Sequence, residues 1–340
     1  MITGSQLLRA FARWIPAGAL VPFGRPVVLT FHGVVARMED PRLEVNHHTI
    51  DEFTSLAKTL RSHFDVLPLA SLDDVLRHPK PHSRAVFLTA DDGYRNVLTN
   101  AADVLENLRL PWSLFVSTRH IESGEPNPLF LARLFLYFAP NGRYVIPYFR
   151  KAVELGRFRD HAASEAITFL KTLEESHARE VIETMTSAFS GPELRSLIAR
   201  FPSEQFLSWS EVGSLAKRGV EIGAHAHWHW PMNAAQSREQ VEMQARLSRD
   251  LVQRHIGQCR YFSYPFGNVQ DVSGVAWRAV RDAGYNGAFT TMSAALGAAC
   301  NAWLLPRYTL TPNEPNLAAL LPMLRAGNSR LAHWQRQLAV

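Results

Sequence analysis

The chain has 340 residues, 46% hydrophobic and 20% charged, with 19 Gly and 20 Pro, a globular composition that excludes disorder, collagen and a long coiled coil. Thirty-six Lys and Arg against 31 Asp and Glu leave a net charge of +5, too small a surplus over this length to point to nucleic acid. Only two cysteines accompany 14 histidines, which excludes a disulfide framework or a Cys-rich zinc site; any metal must be held by imidazole and carboxylate.

Residues 1–26 read as an amphipathic segment. Leu7, Leu8, Phe11, Trp14 and Ile15 fall at helical spacing with Arg9 and Arg13 between them, and Pro16 and Pro22 interrupt the apolar core that a signal peptide needs. The tail over 313–340 is similar, with Arg325, Arg330 and Arg336 among apolar residues. No stretch approaches the length of a transmembrane helix, so the expectation is a cytoplasmic chain, with both basic ends leaving peripheral contact at the inner membrane face open.

Between these ends, short apolar runs at 27–31, 85–89, 113–116, 220–223, 261–264 and 287–290 predict buried strands. Helical patterns at 51–62, 100–108, 208–218, 237–255 and 274–283 separate them, and Ser237 with Gln240 resembles a capping box. Such alternation implies an α/β fold around a parallel sheet, with functional groups beyond the C-terminal strand ends. The stretch 127–202 breaks the rhythm with helix formers, including 163–176 and 177–189, and little strand signal. It reads as a helical insertion, so 27–312 is one enlarged domain.

The run Thr89-Ala90-Asp91-Asp92-Gly93 ends a buried strand in two carboxylates. Adjacent residues leaving a strand point in different directions, so one Asp can ligate a metal while the other stays free as a base. The run His225-Ala226-His227-Trp228-His229-Trp230 follows another strand, and two imidazoles with one carboxylate suit a hydrolytic zinc site; spacing alone does not say which two histidines bind. His32 ends the first strand, Phe266 lies in a Pro-aromatic-Gly turn after the fifth, and Arg307 follows a late apolar run.

Taken in order, these motifs resemble the polysaccharide deacetylase superfamily (NodB homology, carbohydrate esterase family 4), over about residues 27–310. Thr89-Ala90-Asp91-Asp92-Gly93 is similar to its Thr-Phe-Asp-Asp-Gly motif, and His225 and His229 match both histidines of its His-Ser/Thr-x-x-His-Pro motif. Phe262-Ser263-Tyr264-Pro265-Phe266-Gly267, Leu305-Pro306-Arg307 and Phe31-His32-Gly33 are similar to a subgroup associated with bacterial surface polysaccharides.

The resemblance implies an irregular (β/α)7-type barrel and a metal-dependent hydrolase that removes an N-acetyl (or N-formyl) group from an amino sugar of a surface polysaccharide or its lipid-linked precursor. It implies Asp92, His225 and His229 as ligands of one divalent metal, zinc first, with cobalt, nickel and manganese as alternatives. It further implies Asp91 as general base, the Phe266 N–H as oxyanion donor, His32 as general acid and Arg307 as the charge that keeps Asp91 ionised. Several positions depart from the pattern. Ala90 replaces Phe, Ala226 replaces a hydroxyl residue and Trp230 displaces a Pro, which leaves His227 as an alternative ligand to His229. Ser263 stands where many relatives carry Arg, and Arg260 is expected to face the other way. Two other readings are a non-catalytic carbohydrate-binding relative and an amidohydrolase-type barrel built on a His225-x-His227 pair.

Overall fold

The computed structural model describes residues 25–78, 82–297, 300–312 and Leu338; apart from residues 25 and 26 and Leu338, the two amphipathic ends expected from the sequence lie outside them. Seven parallel strands curl around a common interior: β1 (Val27–Phe31), β2 (Ala85–Ala90), β3 (Ser113–Val116), β4 (Glu221–Ala224), β5 (Tyr261–Ser263), β6 (Gly287–Phe289) and β7 (Tyr308–Thr309). Their spatial order is β6-β5-β4-β3-β2-β1-β7, with the short strand Asp65–Val66 beside the start of β2. β7 pairs with β1, and just before it Leu305 bridges Phe289 of β6. One segment thus links both edges of the curled sheet. This is the irregular (β/α)7-type barrel that the family resemblance implies, built on the parallel sheet that the strand and helix alternation predicts.

Period-two alternation sorts the strand side chains. Val27, Leu29, Val86, Leu88, Leu114 and Val116 pack outward against the helices, while Val28, Phe87, Phe115, Tyr261, Phe289 and Leu305 form a separate inner cluster. Thr30, Thr89, Asp91 and Ser263 have the inner parity of their strands, so they extend that interior toward the C-terminal ends. Gly223 makes room for Phe115: a Cβ there would stand 2.5 Å from the Phe115 ring and 2.7 Å from the Tyr261 carbonyl. The backbone oxygen is fixed in the sheet. Gly223→Ala is therefore expected to lower the unfolding free energy by about 1–3 kcal/mol, read from denaturant midpoints.

The labelled helices are α1 (Ile50–His63), α2 (Ala102–Asn107), α3 (Thr118–Ser123), α4 (Pro128–Phe138), α5 (Arg159–Leu170), α6 (Glu175–Thr186), α7 (Gly191–Ala199), α8 (Trp209–Lys217), α9 (Arg238–Ile256) and α10 (Gly274–Asp282), and a further short helix, Leu72–Arg77, precedes β2. None of the described helices is long and apolar enough to cross a membrane. Ser237 caps α9 by accepting from the Gln240 N–H, but Gln240 Oε1 finds no hydrogen-bond partner. The expected capping box is thus only half formed. The start predicted for α2 is instead a π turn over Val97–Ala101.

Helices α4 to α7 lie between β3 and β4; α4, α5 and α6 share their own apolar core, and α7 packs against a smaller cluster on α4. Two features of this stretch differ from the expectation. An antiparallel pair, Gly142–Tyr144 with Val153–Leu155, appears where no strand was predicted, because its first strand is largely exposed and has no apolar alternation. The helices expected at 163–176 and 177–189 break at 171–174 instead. There the Lys171 carbonyl accepts from Asn233, and the Leu173 carbonyl accepts from the Trp230 indole and from Gln236. Side chains that follow β4 take carbonyls that a continuous helix would use itself, and they dock this link beside the sheet's C-terminal ends.

Candidate active site

The end of β2 turns abruptly. The Gly93 N–H donates to the Asp91 carbonyl at 3.0 Å, and Asp92 at the centre has φ 73°. This is a γ-turn of the rare, strained hand. It separates the two carboxylates: Asp91 keeps the inner parity of β2 and Asp92 swings toward the loop after β4. The turn after β5 repeats the device, with Gly267 N–H donating to the Pro265 carbonyl at 2.7 Å and Phe266 at φ 61°. Ala226 and His229 also have positive φ, 58° and 52°. Among the described non-glycine residues only Arg109 and Tyr148 otherwise do so. Conformations that cost about 1–2 kcal/mol each are concentrated here.

His225 and His229 bring their Nε2 atoms to 3.2 and 2.8 Å from Asp92 Oδ1. The ligand atoms of the three residues lie within 4.8 Å of one another, and all three side chains are buried. His227 is turned away: its Nδ1 meets the Thr118 hydroxyl at 2.8 Å, and burial, with the nearby Arg119 charge, lowers its pKa to about 4. The His225-x-His227 pair of the amidohydrolase reading is thus not brought together. No hydroxyl at position 226 is needed to order the loop, because Thr118 N–H and Arg119 N–H donate to the carbonyls of Ala226 and His227.

The donor set fits a divalent metal. His225 Nδ1 donates to the Ser263 carbonyl at 2.8 Å, which leaves the Nε2 lone pair facing Asp92. Asp92 Oδ1 is buried with no hydrogen-bond partner despite two imidazoles beside it. At His229 the neighbour of Nδ1 is the Asn127 amide nitrogen, 3.2 Å away, while Asn127 Oδ1 caps α4 through the Leu129 N–H; the ligating tautomer requires that amide to turn over. Burial raises the Asp92 pKa, but His229 and His225 outweigh it and hold the carboxyl well below its usual range.

Asp91 is clamped from β7. Arg307 Nη1 and Nη2 donate to its two oxygens at 2.9 and 2.6 Å, and both residues are buried. The same guanidinium donates to Thr89 and Thr30, to the Ser263 hydroxyl and, through Nε, to the Thr290 carbonyl, while Phe115 and Phe289 cover its carbon. Burial alone raises the Asp91 carboxyl; Arg307 and His225 outweigh it, so it stays below its ordinary value. Arg260 faces outward to Glu221, as its strand position predicts. His32 lies half-buried in the same pocket, its Nδ1 buried and unbonded, and burial lowers its pKa against the pull of Asp92 and Asp91.

The profile of the polysaccharide deacetylase family matches residues 78–288, more than half of the chain, including both carboxylates and all three loop histidines. The chain belongs to the polysaccharide deacetylase family. It is a hydrolase of that class, whose members are metal-dependent. Similar solved structures include the Streptococcus pyogenes deacetylase PplD in complex with acetate, at 13% identity and TM-score 0.58, covering 89% of this chain and 99% of that one. IcaB from Ammonifex degensii gives 17% and 0.55, with 88% and 97% covered. The BpsB deacetylase domain from Bordetella bronchiseptica gives 15% and 0.51, with 85% and 96% covered. At these identities the likeness establishes the shared fold. A comparison with curated proteins gave no match.

In this deacetylase the clustered side chains open into a pocket of about 270 Å³ that includes His32, Asp91, Phe266 and the three candidate ligands. Further polar side chains line it, among them Tyr94, Arg133, Lys171 and Glu204. Tyr94 directly follows the Asp-Asp-Gly run. Arg133 and Lys171 carry no local signal, since a lone cation in a helical stretch reads as solvated surface. Asn127 could have been found, because Asn before Pro is a helix-start signature.

Proposed function

We propose that this chain removes an N-acetyl, or N-formyl, group from an amino sugar of a bacterial surface polysaccharide or its lipid-linked precursor, with one divalent metal held by Asp92, His225 and His229. The observation that carries the reading is the meeting, in one pocket, of this ligand cluster with a carboxylate that Arg307 keeps ionised. Two imidazoles and a carboxylate suit zinc first, with cobalt, nickel and manganese as alternatives. When bound there, the metal acidifies water and polarises the acyl carbonyl.

The protein's own groups divide the remaining work. Asp91 takes a proton from the attacking water; its low pKa keeps it a base at neutral pH. The Phe266 N–H, set by its strained turn, donates to the carbonyl oxygen as negative charge develops there. The amide C–N bond then breaks as His32, in its protonated form, passes a proton to the leaving amine. Burial lowers the His32 pKa, so it must be protonated from solvent beforehand, and Asp91 returns the proton it took to solvent. The products are acetate, or formate, and the free amino sugar.

Incubation with acetylated amino-sugar glycans tests the reading by mass detection of acetate. Chelation is expected to abolish release and stoichiometric zinc to restore it; release that persists in a metal-stripped protein overturns the metal assignment. His229→Ala is expected to weaken zinc binding by more than about 100-fold, since even an outer-shell partner is worth about 10–100-fold. His227→Ala is expected to leave zinc affinity near that of the unmodified protein. The reverse order in a zinc titration would exchange the two roles.

A further inference from the structure

One wall of the pocket has no part in the steps above. Arg133 on α4 and Lys171 in the link after α5 both belong to the stretch between β3 and β4, both line the pocket, and both are half-buried. No described carboxylate lies within 4.0 Å of either. The Lys171 ammonium rests 3.9 Å from the centre of the Phe266 ring, which itself packs against His229 at 5.1 Å. A single aromatic ring therefore touches both this charge and a candidate ligand. Burial, then Arg133, lowers the Lys171 pKa after the opposing pull of Asp271. Burial pushes the pKa of Glu204, the acid beside Arg133, up to about 8, and no ion pair within 4.0 Å joins the two. Two cations sharing one wall without a bonded partner carry a desolvation cost that a bound anion relieves. The forked guanidinium suits a planar carboxylate or a phosphate.

We infer that Arg133 and Lys171 form an anion-recognising subsite, so that the amino sugar turned over here carries a carboxylate or phosphate on itself or on the adjoining residue. The inference rests on the deacetylase reading. In the zinc-loaded full chain, acetate release is compared for three substrates: methyl N-acetylglucosaminide, N-acetylglucosamine 1-phosphate and N-acetylglucosaminuronic acid. Charged substrates are expected to exceed the neutral one in kcat/KM by about tenfold or more, the scale of one charge-assisted contact. Whichever charged substrate is preferred identifies the source of the anion.

In Arg133→Gln and in Lys171→Gln the charged-to-neutral ratio is expected to fall about tenfold. Lys171 lies outside the helices, so a folding defect in the Arg133 variant does not hide the result. Calorimetric titration with inorganic phosphate and with glucuronate gives a readout independent of turnover, with the same loss expected. Acetate released equally from all three substrates, with a ratio unmoved by either substitution, overturns the subsite and leaves the deacetylase reading standing. No acetate from any of these substrates or from the acetylated amino-sugar glycans, with anion binding that still depends on Arg133 and Lys171, overturns the deacetylase reading and leaves the subsite. Anion binding unaffected by both substitutions overturns the subsite outright.

Discussion

Asp91→Asn is expected to lower acetate release by about 10²–10⁴-fold, the range of a positioned general base, with zinc still bound at one equivalent. The substitution is nearly isosteric and leaves Asp92, His225 and His229 in place, so it separates base from ligand. Its side effect is also specific. Both Asp91 oxygens accept from Arg307, and one of them also accepts from Ser263; an amide offers one oxygen and sets an N–H against a donor. A fall in melting temperature should therefore accompany the loss of rate. Metal analysis and circular dichroism on the same sample keep the two apart. Undiminished hydrolysis by a folded, zinc-loaded Asp91→Asn protein would move the base elsewhere in the pocket.

Arg307→Met is expected to cost about 3–5 kcal/mol, the penalty for leaving one member of a buried ion pair without its partner. Its dependence on pH has a definite sign. In the unmodified protein the folded Asp91 pKa lies below the ordinary 3.8, so its contribution is present above that value and is lost as pH falls through the folded one. Without Arg307 the upward push of burial is opposed only by His225 and His32, so the carboxyl rises and the stabilisation it contributes above the ordinary value shrinks. The deficit relative to the unmodified protein should thus be largest at neutral pH and shrink on acidification, as urea midpoints between pH 3 and pH 7 would show. Arg307→Lys retains charge without the fork and should fall between the two. A deficit independent of pH would mean that the loss is one of packing around Phe115 and Phe289 rather than of charge.

Much of the barrel was legible because its strands are short, β-branched or aromatic, and buried on both faces; β1 and β3 have the predicted bounds, β2, β4, β5 and β6 shift by a residue at one or both ends, and the two-residue β7 is too short to give a strand signal. The chemistry-bearing residues were legible for a related reason, since they follow directly from strand ends and so share one rim. Less visible were features set by tertiary contact. The choice between His227 and His229 depends on backbone at Ala226 and His229 with positive φ, which no propensity predicts for Ala or His. The break at 171–174 depends on Trp230, Asn233 and Gln236, which are far along the chain. Ser263 looked like a missing cation, yet its hydroxyl accepts from Arg307 and donates to Asp91; only parity along β5 hints at that, once the interior is known.

The clamp on Asp91 also bears on the order in which the protein is made. Arg307 lies 216 residues after Asp91, so during synthesis the carboxylate, the two histidines and most of the sheet leave the ribosome before the guanidinium exists. Until then Asp91 is a charge to be buried without compensation, and the interior layer of Thr30, Thr89 and Ser263 lacks the group that bonds them together. Closing so distant a contact is a late step, because the ordering of the intervening chain must come first. The Asp91 ion pair and the barrel are thereby completed by the same segment. A chain halted before residue 307 would expose the edges of β1 and β6 together, and would hold the candidate ligands beside an unpaired buried carboxylate.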